Sequence, residues 1–159
     1  MNRPFITTRK GVTKEGKFII PCEEFIDIEP AMVDGNYSDE IFIGTFDTEE
    51  KTYLKINEDG SYSKMLDVFT VFSSFKNGAS VVGTYNERFG YKYGLVNDNL
   101  SLKLDCVYDA VVEIAKNLYK IKKNGLQGIY DISKDKILFE PKFHDIKYDK
   151  ENNLFSIIY

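Results

Sequence analysis

Residues 91–125 read YKYGLVNDNLSLKLDCVYDAVVEIAKNLYKIKKNG, and residues 126–159 read LQGIYDISKDKILFEPKFHDIKYDKENNLFSIIY. The two stretches align on three pairs of residues that keep the same order. These pairs are Gly94 with Gly128, Tyr108 with Phe143 and Tyr119 with Phe155, separated by 34, 35 and 36 residues. An internal period of this length indicates stacked supersecondary units.

The same order of motifs recurs upstream. RKGVTKEGKFIIPCEEFIDIEP opens at Gly11 and reaches an aromatic residue at Phe25, and a more degenerate copy begins at Tyr53 without the glycine. We therefore predict four units, over residues 9–50, 51–91, 92–125 and 126–159.

The segments within each unit have β-strand character. KFIIP, IFIGTF, TYLKI and LFSII are rich in β-branched and aromatic residues, and polar or glycine-bearing turns separate them. Residues 108–118 also show helical spacing of apolar residues, but Pro30 would interrupt a helix in the equivalent stretch of the first unit. One unit cannot bury its apolar face alone. We predict an all-β domain of about four three-stranded antiparallel units, stacked into a curved or barrel-like array.

Several short motifs carry a family resemblance. The third unit reads KYGLVN (92–97), the fourth reads QGIYD (127–131) and EPKFHDI (140–146), and the first reads GKFIIP (16–21). This pattern resembles the WG repeat found in many bacterial proteins, although Lys10, Tyr93 and Gln127 occupy the position of its tryptophan. The resemblance implies a β-rich repeat array and implies no common enzymatic activity or cofactor.

The recurring residues have simple structural interpretations. A glycine at the start of a unit permits a bulge or the close approach of a neighbouring strand. The recurring aromatic residue is expected to point into the core. The acid beside it can accept backbone N–H groups at a turn, and a repeated ligand-binding carboxylate is the alternative. The glycines are Gly11, Gly94 and Gly128, the aromatics are Phe25, Tyr108 and Phe143, and the acids are Asp27, Asp109 and Asp145.

Composition excludes some classes of protein. Of the 159 residues, 43% are hydrophobic and 14% aromatic, which is typical of a folded domain and not of a disordered chain. No stretch is long and apolar enough for a membrane-spanning helix or a signal peptide, so we expect a soluble cytoplasmic protein without a membrane partner. Cys22 and Cys106 are expected to be packed thiols, because a zinc site needs more ligands than two cysteines and one histidine supply in this pattern.

The sequence contains few signs of catalysis. His144 is expected to face outward from a strand, away from Asp145. The carboxylate pairs Glu23–Glu24 and Glu49–Glu50 lie in predicted loops and are expected to be solvated. We find no nucleophile or phosphate-loop motif. We therefore expect no enzymatic activity, no metal and no cofactor, with an enzyme of unknown type as an alternative.

Charge indicates the kind of partner. The net charge is −4, with −5 in residues 1–90 and +1 in residues 91–159. An acidic half disfavours direct binding to a nucleic-acid backbone and favours a basic protein partner. Lys120 and Lys122 share a strand face opposite Tyr119, as expected for a lysine-protected strand.

Two stretches are longer than a turn between strands requires, and functional residues concentrate in such long loops. They are PAMVDGNYSDE (30–40) and FTVFSSFKNGAS (69–80). The predicted binding residues are Met32, Asp34, Tyr37, Asp39, Glu40, Phe72 and Phe75. The alternative is an ordinary surface, with both phenylalanines packed inside.

The leading hypothesis is a non-enzymatic protein-binding module that presents acidic and aromatic loops to a partner. A second hypothesis is a small acidic, phage-type inhibitor of a bacterial defence or nucleic-acid-handling effector, comparable to anti-CRISPR proteins. The sequence leaves open the oligomeric state and whether the array closes.

Overall fold

The fold consists of antiparallel strands joined by short turns. The computed structural model describes residues 24–159 throughout and, before them, only the backbone of three strands at 6–7, 12–14 and 17–20. The described residues contain no helix, and residues 110–115 form a strand, so the all-β prediction is confirmed. Consequently this part of the chain has no helix of the length and hydropathy that crossing a bilayer requires.

Residues 24–159 form four antiparallel sheets, none of which closes on itself. We number the strands along the chain, beginning with the three N-terminal strands β1 (Ile6–Thr7), β2 (Val12–Lys14) and β3 (Lys17–Ile20). The first sheet contains β4 (Asp27–Val33), β5 (Asn36–Thr45), β6 (Lys51–Ile56) and β7 (Tyr62–Lys64). The second contains β8 (Val71–Phe72), β9 (Ala79–Asn86), β10 (Gly90–Asn97) and β11 (Leu102–Tyr108). The third contains β12 (Ala110–Ala115), β13 (Leu118–Lys123), β14 (Leu126–Asp131) and β15 (Lys136–Phe143), and the fourth contains β16 (Asp145–Asp149) and β17 (Leu154–Ile158).

The sheets are grouped differently from the predicted units. Three of them have four strands in chain order, whereas the sequence predicted about three strands per unit. The predicted unit start at residue 92 lies inside β10, because the glycine that marks it belongs to the third strand of a sheet.

Gly94 and Gly128 occupy matching positions in the third strands of the second and third sheets. The pairing of β10 with β11 shifts register around Gly94, and the pairing of β14 with β15 shifts around Gly128. A Cβ at Gly94 would lie 2.3 Å from the Leu104 carbonyl oxygen, and one at Gly128 would lie 2.3 Å from the Phe139 carbonyl oxygen. The predicted close approach is confirmed at both glycines, while Gly11 lies outside the described residues.

A second kind of bulge opens each of the four sheets formed by residues 24–159. At each, two successive residues face one residue of the neighbouring strand, and the N–H of the first residue bonds to the carbonyl of that shared partner. The four hydrogen bonds, 2.7–2.9 Å long, run from Ile26 to Thr45, from Thr70 to Gly83, from Asp109 to Lys122 and from His144 to Ile158. Only Asp109 separates β11 from β12, and only His144 separates β15 from β16. A strand therefore leaves one sheet and enters the next through a single residue.

This register corrects the alignment of the recurring acids. Asp109 donates the bulge hydrogen bond in the third sheet, as His144 does in the fourth. Asp109 is therefore equivalent to His144 and not to Asp145. Asp109 does accept a backbone bond at a turn, as predicted, because its Oδ2 lies 2.8 Å from the N–H of Asn124. The positions therefore do not form one repeated set of carboxylates.

An aromatic residue precedes each of these bulges and points inward. Phe25, Phe69 and Tyr108 are buried, and Phe143 is half-buried against Phe139. The predicted inward orientation is confirmed for Phe25 and Tyr108.

Successive sheets share their core clusters. Between the first and second sheets lie Ile41, Tyr53, Phe75, Val82 and Val96; between the second and third, Leu95, Leu104, Val111, Ile121 and Tyr130; between the third and fourth, Leu118, Ile129 and Ile146. Each sheet thus buries apolar surface against its neighbour.

Candidate functional site

Residues 30–40, predicted to form an extended loop, form a tight hairpin. β4 and β5 are joined by Asp34 and Gly35 alone, whose φ angles are +49° and +84°. Positive φ at both central residues is typical of the two-residue turns that join twisted strands, and Asp-Gly favours it. The prediction of a long loop here is wrong.

The hairpin still carries most of the predicted binding residues on its surface. Asp34, Asp39 and Glu40 are exposed, Tyr37 is 59% exposed, and Met32 is half-buried opposite Tyr37. The Ser38 hydroxyl accepts the N–H groups of Glu40 (3.0 Å) and Ile41 (2.9 Å). The Ser38 side chain therefore holds this part of β5 rigid.

Phe72 and Phe75 belong to the core. Phe75 is only 1% exposed and its ring lies 5.0 Å from that of Tyr53, while Phe72 is half-buried with its ring 4.9 Å from Tyr53. The prediction that Phe75 contributes to a binding surface is wrong, because the Phe75 side chain is buried against Tyr53, and the Phe75 backbone also pairs with the hairpin. Its N–H donates to Met32 (2.8 Å), and its carbonyl accepts from Asp34 (2.9 Å).

A cleft of about 560 Å³ lies between the first and second sheets. Its lining comes from the β5–β6 turn, from the segment between β7 and β8, and from β9. We call it the acidic–aromatic cleft; it is lined by Thr48, Glu49, Glu50, Lys51, Val68, Phe69, Thr70, Thr84 and Tyr85.

The acidic wall of this cleft is a tight turn. Glu49 and Glu50 are both exposed, so their carboxylates face solvent. The Phe46 N–H donates to the Glu50 carbonyl (2.8 Å), and the Glu49 N–H donates to the Phe46 carbonyl (3.0 Å). Lys51 is half-buried at the end of the turn. The two glutamates thus outnumber the one lysine on a rigid support.

Tyr85 contributes an aromatic side chain to the lining of the cleft, and further aromatic residues follow it on the β9–β10 hairpin. Tyr85 is 53% exposed and its ring centroid lies 4.9 Å from that of Tyr91, which in turn stacks on Tyr93 at 6.4 Å. Phe89 at the hairpin tip is 64% exposed, with the Arg88 guanidinium 5.4 Å from its ring. Exposed aromatic faces on an ordered hairpin offer contact area and cation–π partners.

Hydrogen bonds join strand β6 to the segment between β7 and β8 that contributes Val68, Phe69 and Thr70 to the cleft. The Thr52 hydroxyl donates to the Asp67 carbonyl (2.7 Å), and the Phe69 N–H donates to the Lys51 carbonyl (2.9 Å). Phe69 is buried beneath these bonds. These bonds fix the position of that segment against the first sheet.

Sequence reasoning missed this site. Glu49 and Glu50 are exposed as predicted, but they are separated by about 35 residues from Tyr85, and only the stacking of two sheets brings them together. The available signal was the pair of short stretches FDTEEK and TYNERFGY, one acidic and one alternately aromatic.

Other residues singled out in the sequence have structural roles. Glu24 is half-buried and paired, where the sequence predicted a solvated carboxylate; a hydrogen bond from Lys64 holds the pKa of its carboxyl below the usual range, and Tyr62 also donates to it (3.0 Å). His144 is exposed, and Tyr119 points inward while Lys122 is exposed, as predicted.

Cys106 is a free, half-buried thiol packed against the core between the first and second sheets, as predicted for a packed cysteine. Burial, with a smaller contribution from the charges of Asp105 and Asp67, raises its pKa to about 11. Cys22 and Glu23 lie outside the described residues.

Among the residues that the structure describes, no group of three or more histidine, cysteine, aspartate or glutamate side chains is placed to hold a metal ion. No protein-family model matches the chain, and no curated protein is significantly similar to it in sequence. The site is therefore interpreted from its own geometry.

Proposed function

We propose that the protein is a non-enzymatic protein-binding module whose acidic–aromatic cleft accepts a cationic segment of a partner protein. The observation that carries this proposal is that two exposed glutamates and an exposed tyrosine line the same cleft, beside a segment that is hydrogen-bonded to the first sheet. A lysine or arginine side chain can interact with both kinds of lining residue, since it pairs with carboxylates and packs on aromatic faces.

Rigidity supports the same function. A preformed cleft loses less conformational entropy on binding than a mobile loop does. The turn bonds around Phe46 and the Thr52 bond to Asp67 order two of the segments that line the cleft before a partner arrives. The acidic N-terminal part of the chain also attracts a cationic partner over longer distances.

We further propose that the chain is an array of WG-like repeats, curved along its length. The matching environments of Gly94 and Gly128 support this, as do the four equivalent bulges and the core clusters shared by successive sheets. Such an array would act as a scaffold, with binding residues on turns between the strands.

Fluorescence anisotropy with labelled peptides tests the binding proposal. The probes are an arginine- and lysine-rich peptide and a length-matched peptide in which glutamine replaces the basic residues. We expect the basic peptide to bind more tightly, with an affinity that falls as salt rises because surface charges are screened. The double change Glu49→Gln and Glu50→Gln should weaken binding about tenfold, as should Tyr85→Ala.

The control variant carries Asp39→Asn and Glu40→Gln, which remove two carboxylates of the β4–β5 hairpin outside the cleft. It should bind like the unaltered protein. Equal binding of the two peptides, or equal losses in the cleft and hairpin variants, would show that the cleft is not the binding site.

A further inference from the structure

The fourth sheet has an unusual strand at its edge. In the described part of the chain β17 pairs with β16 along one side, and no pairing is formed along its other side. Its residues alternate: Phe155 and Ile157 are half-buried, whereas Leu154 and Ile158 are 62% and 55% exposed. Tyr159, immediately after the strand, is 86% exposed.

The strand of the third sheet that corresponds to β17 is β13, and it carries lysines that β17 lacks. β12 pairs with β13 through Val112–Lys120 and Ala110–Lys122, and the matching pairs of the fourth sheet are Lys147–Ser156 and Asp145–Ile158. Ser156 and Ile158 thus stand where β13 has Lys120 and Lys122. Charged side chains, lysine above all, are the usual protection of an edge strand against association. β13 is paired on both sides and carries lysines, while β17 has an open edge and carries no ionisable side chain.

We propose that β17 pairs antiparallel with β17 of a second copy of this chain, around a two-fold axis at Ser156. In this register Leu154 faces Ile158 of the second copy, and Phe155 faces Ile157 of the second copy. Each of these pairs joins two apolar side chains that lie on the same face of the sheet. The two serines meet at the axis. Such self-complementarity is what a two-fold interface requires.

Two further observations favour a second copy over a different partner. The pairing would create a four-stranded antiparallel sheet in the order β16–β17–β17–β16, the size of each of the other three sheets. It would also extend an existing core, because Phe155 already packs with its ring 5.2 Å from Phe139 and 4.8 Å from Tyr148. β17 brings no charge that its own copy would repel. This inference is independent of the proposed cleft.

Analytical ultracentrifugation of the full chain tests the proposal over as wide a concentration range as its solubility permits. We expect a reversible monomer–dimer equilibrium. Ser156→Lys should raise the dimer dissociation constant by about tenfold or more, because two lysines would meet at the axis. The substitution is compatible with the fold, since a lysine occupies the equivalent place in β13. Ser156→Glu should behave alike, and an equimolar mixture of the two variants should recover dimers.

A second comparison separates the edge from general surface effects. Ile158→Lys should also weaken the dimer, whereas Val112→Lys, which alters a side chain that is equally exposed at 55% on β12, should not. Circular dichroism checks that each variant remains folded. A monomer at every concentration would overturn the proposal. So would a dimer that Ser156→Lys leaves intact, or a mixture of Ser156→Lys and Ser156→Glu that stays monomeric.

Discussion

Gly94 lies so close to Leu104 that a single methyl group at Gly94 would meet the Leu104 carbonyl oxygen at 2.3 Å. The atom in the way belongs to the backbone of β11, which is paired along the same sheet and cannot turn aside as a side chain can. Gly128 has the same relationship to Phe139 in the third sheet. The requirement for glycine at these positions is therefore steric, and φ has no part in it.

Gly94→Ala should lower the free energy of unfolding by about 3 kcal/mol, the upper part of the range for overpacking, because strand β11 must move. Gly128→Ala should have a similar effect. Urea denaturation measures both. Gly60→Ala is the control: it has open space around it and a φ of +85°, so only backbone strain of about 1 kcal/mol is expected. Equal losses at Gly94 and Gly60 would contradict the steric explanation.

Asp109 should make the protein sensitive to acid. A hydrogen bond from Lys92, the Asn124 N–H and the charges of Lys92 and Lys122 hold the pKa of the Asp109 carboxyl below its usual range. Its pKa is thus lower in the folded chain than the value of about 4 expected when unfolded. The stability it contributes is present above about pH 4 and is lost as the pH falls through the folded pKa.

Asp109→Asn should therefore flatten the acid limb of a plot of unfolding free energy against pH. Thermal unfolding between neutral pH and pH of about 3 measures this. Asp39→Asn, which changes an exposed carboxyl of the β4–β5 hairpin, is the matched control. If both variants lose stability with falling pH as steeply as the unaltered chain, Asp109 is not the cause of the acid sensitivity.

Tyr53 should contribute to alkaline sensitivity. Its hydroxyl is buried between the first and second sheets, 2.9 Å from Ser80 Oγ, and burial raises its pKa to about 12. Because the folded pKa exceeds the unfolded value of about 10, the stabilisation is complete below pH 10 and is lost as the pH rises toward 12.

Tyr53→Phe should cost about 1 kcal/mol at neutral pH, since Ser80 keeps its 2.8 Å hydrogen bond to the Ser73 carbonyl. The same variant should lose less stability than the unaltered protein between about pH 10 and pH 12. Denaturation at several alkaline pH values provides the measurement. Tyr37→Phe, at an exposed site, serves as control, and an identical alkaline limb in both variants would argue against the assignment.

The Cys106 thiol should react slowly. With a pKa of about 11, little of it is thiolate at pH 8, and the thiolate is the reactive form. In a Cys22→Ser variant, alkylation by iodoacetamide at pH 8 should be about a hundredfold slower in the folded chain than in urea. Similar rates in the two conditions would mean that the thiol is accessible and ionises normally.

Strand content was predictable from the sequence because alternation and turn residues are local signals. KFIIP, TYLKI and LYKIK alternate or run apolar between glycine-bearing turns, and Gly94 and Gly128 stand where the strands approach most closely. Residues 30–40 were interpreted as a loop although they include Pro30 of strand β4. Pro30 is accommodated because β4 lies at the edge of its sheet, where a missing N–H donor is tolerated.

The grouping of strands and the cleft could not be predicted in the same way. A strand that changes sheets at Asp109 or His144 has no proline or glycine at that residue to mark the change. The cleft joins residues from three separate stretches, so its geometry depends on how two sheets stack. Phe75 shows the same limit, since its ring is buried against Tyr53 and its backbone pairs with Met32 and Asp34, all far away in the chain.

The single-residue connections at Asp109 and His144 also determine where the chain can gain or lose residues without disrupting the sheets. Side chains alternate along a strand, so adding or deleting one residue at Asp109 or His144 would exchange the inner and outer faces of the strand that follows. Hairpin tips such as Asp34–Gly35 and Asn124–Gly125 impose no such parity on the sheets. Insertions, whether engineered or acquired in evolution, should therefore be tolerated at the hairpin tips. The connections at Asp109 and His144 should keep their length of one residue.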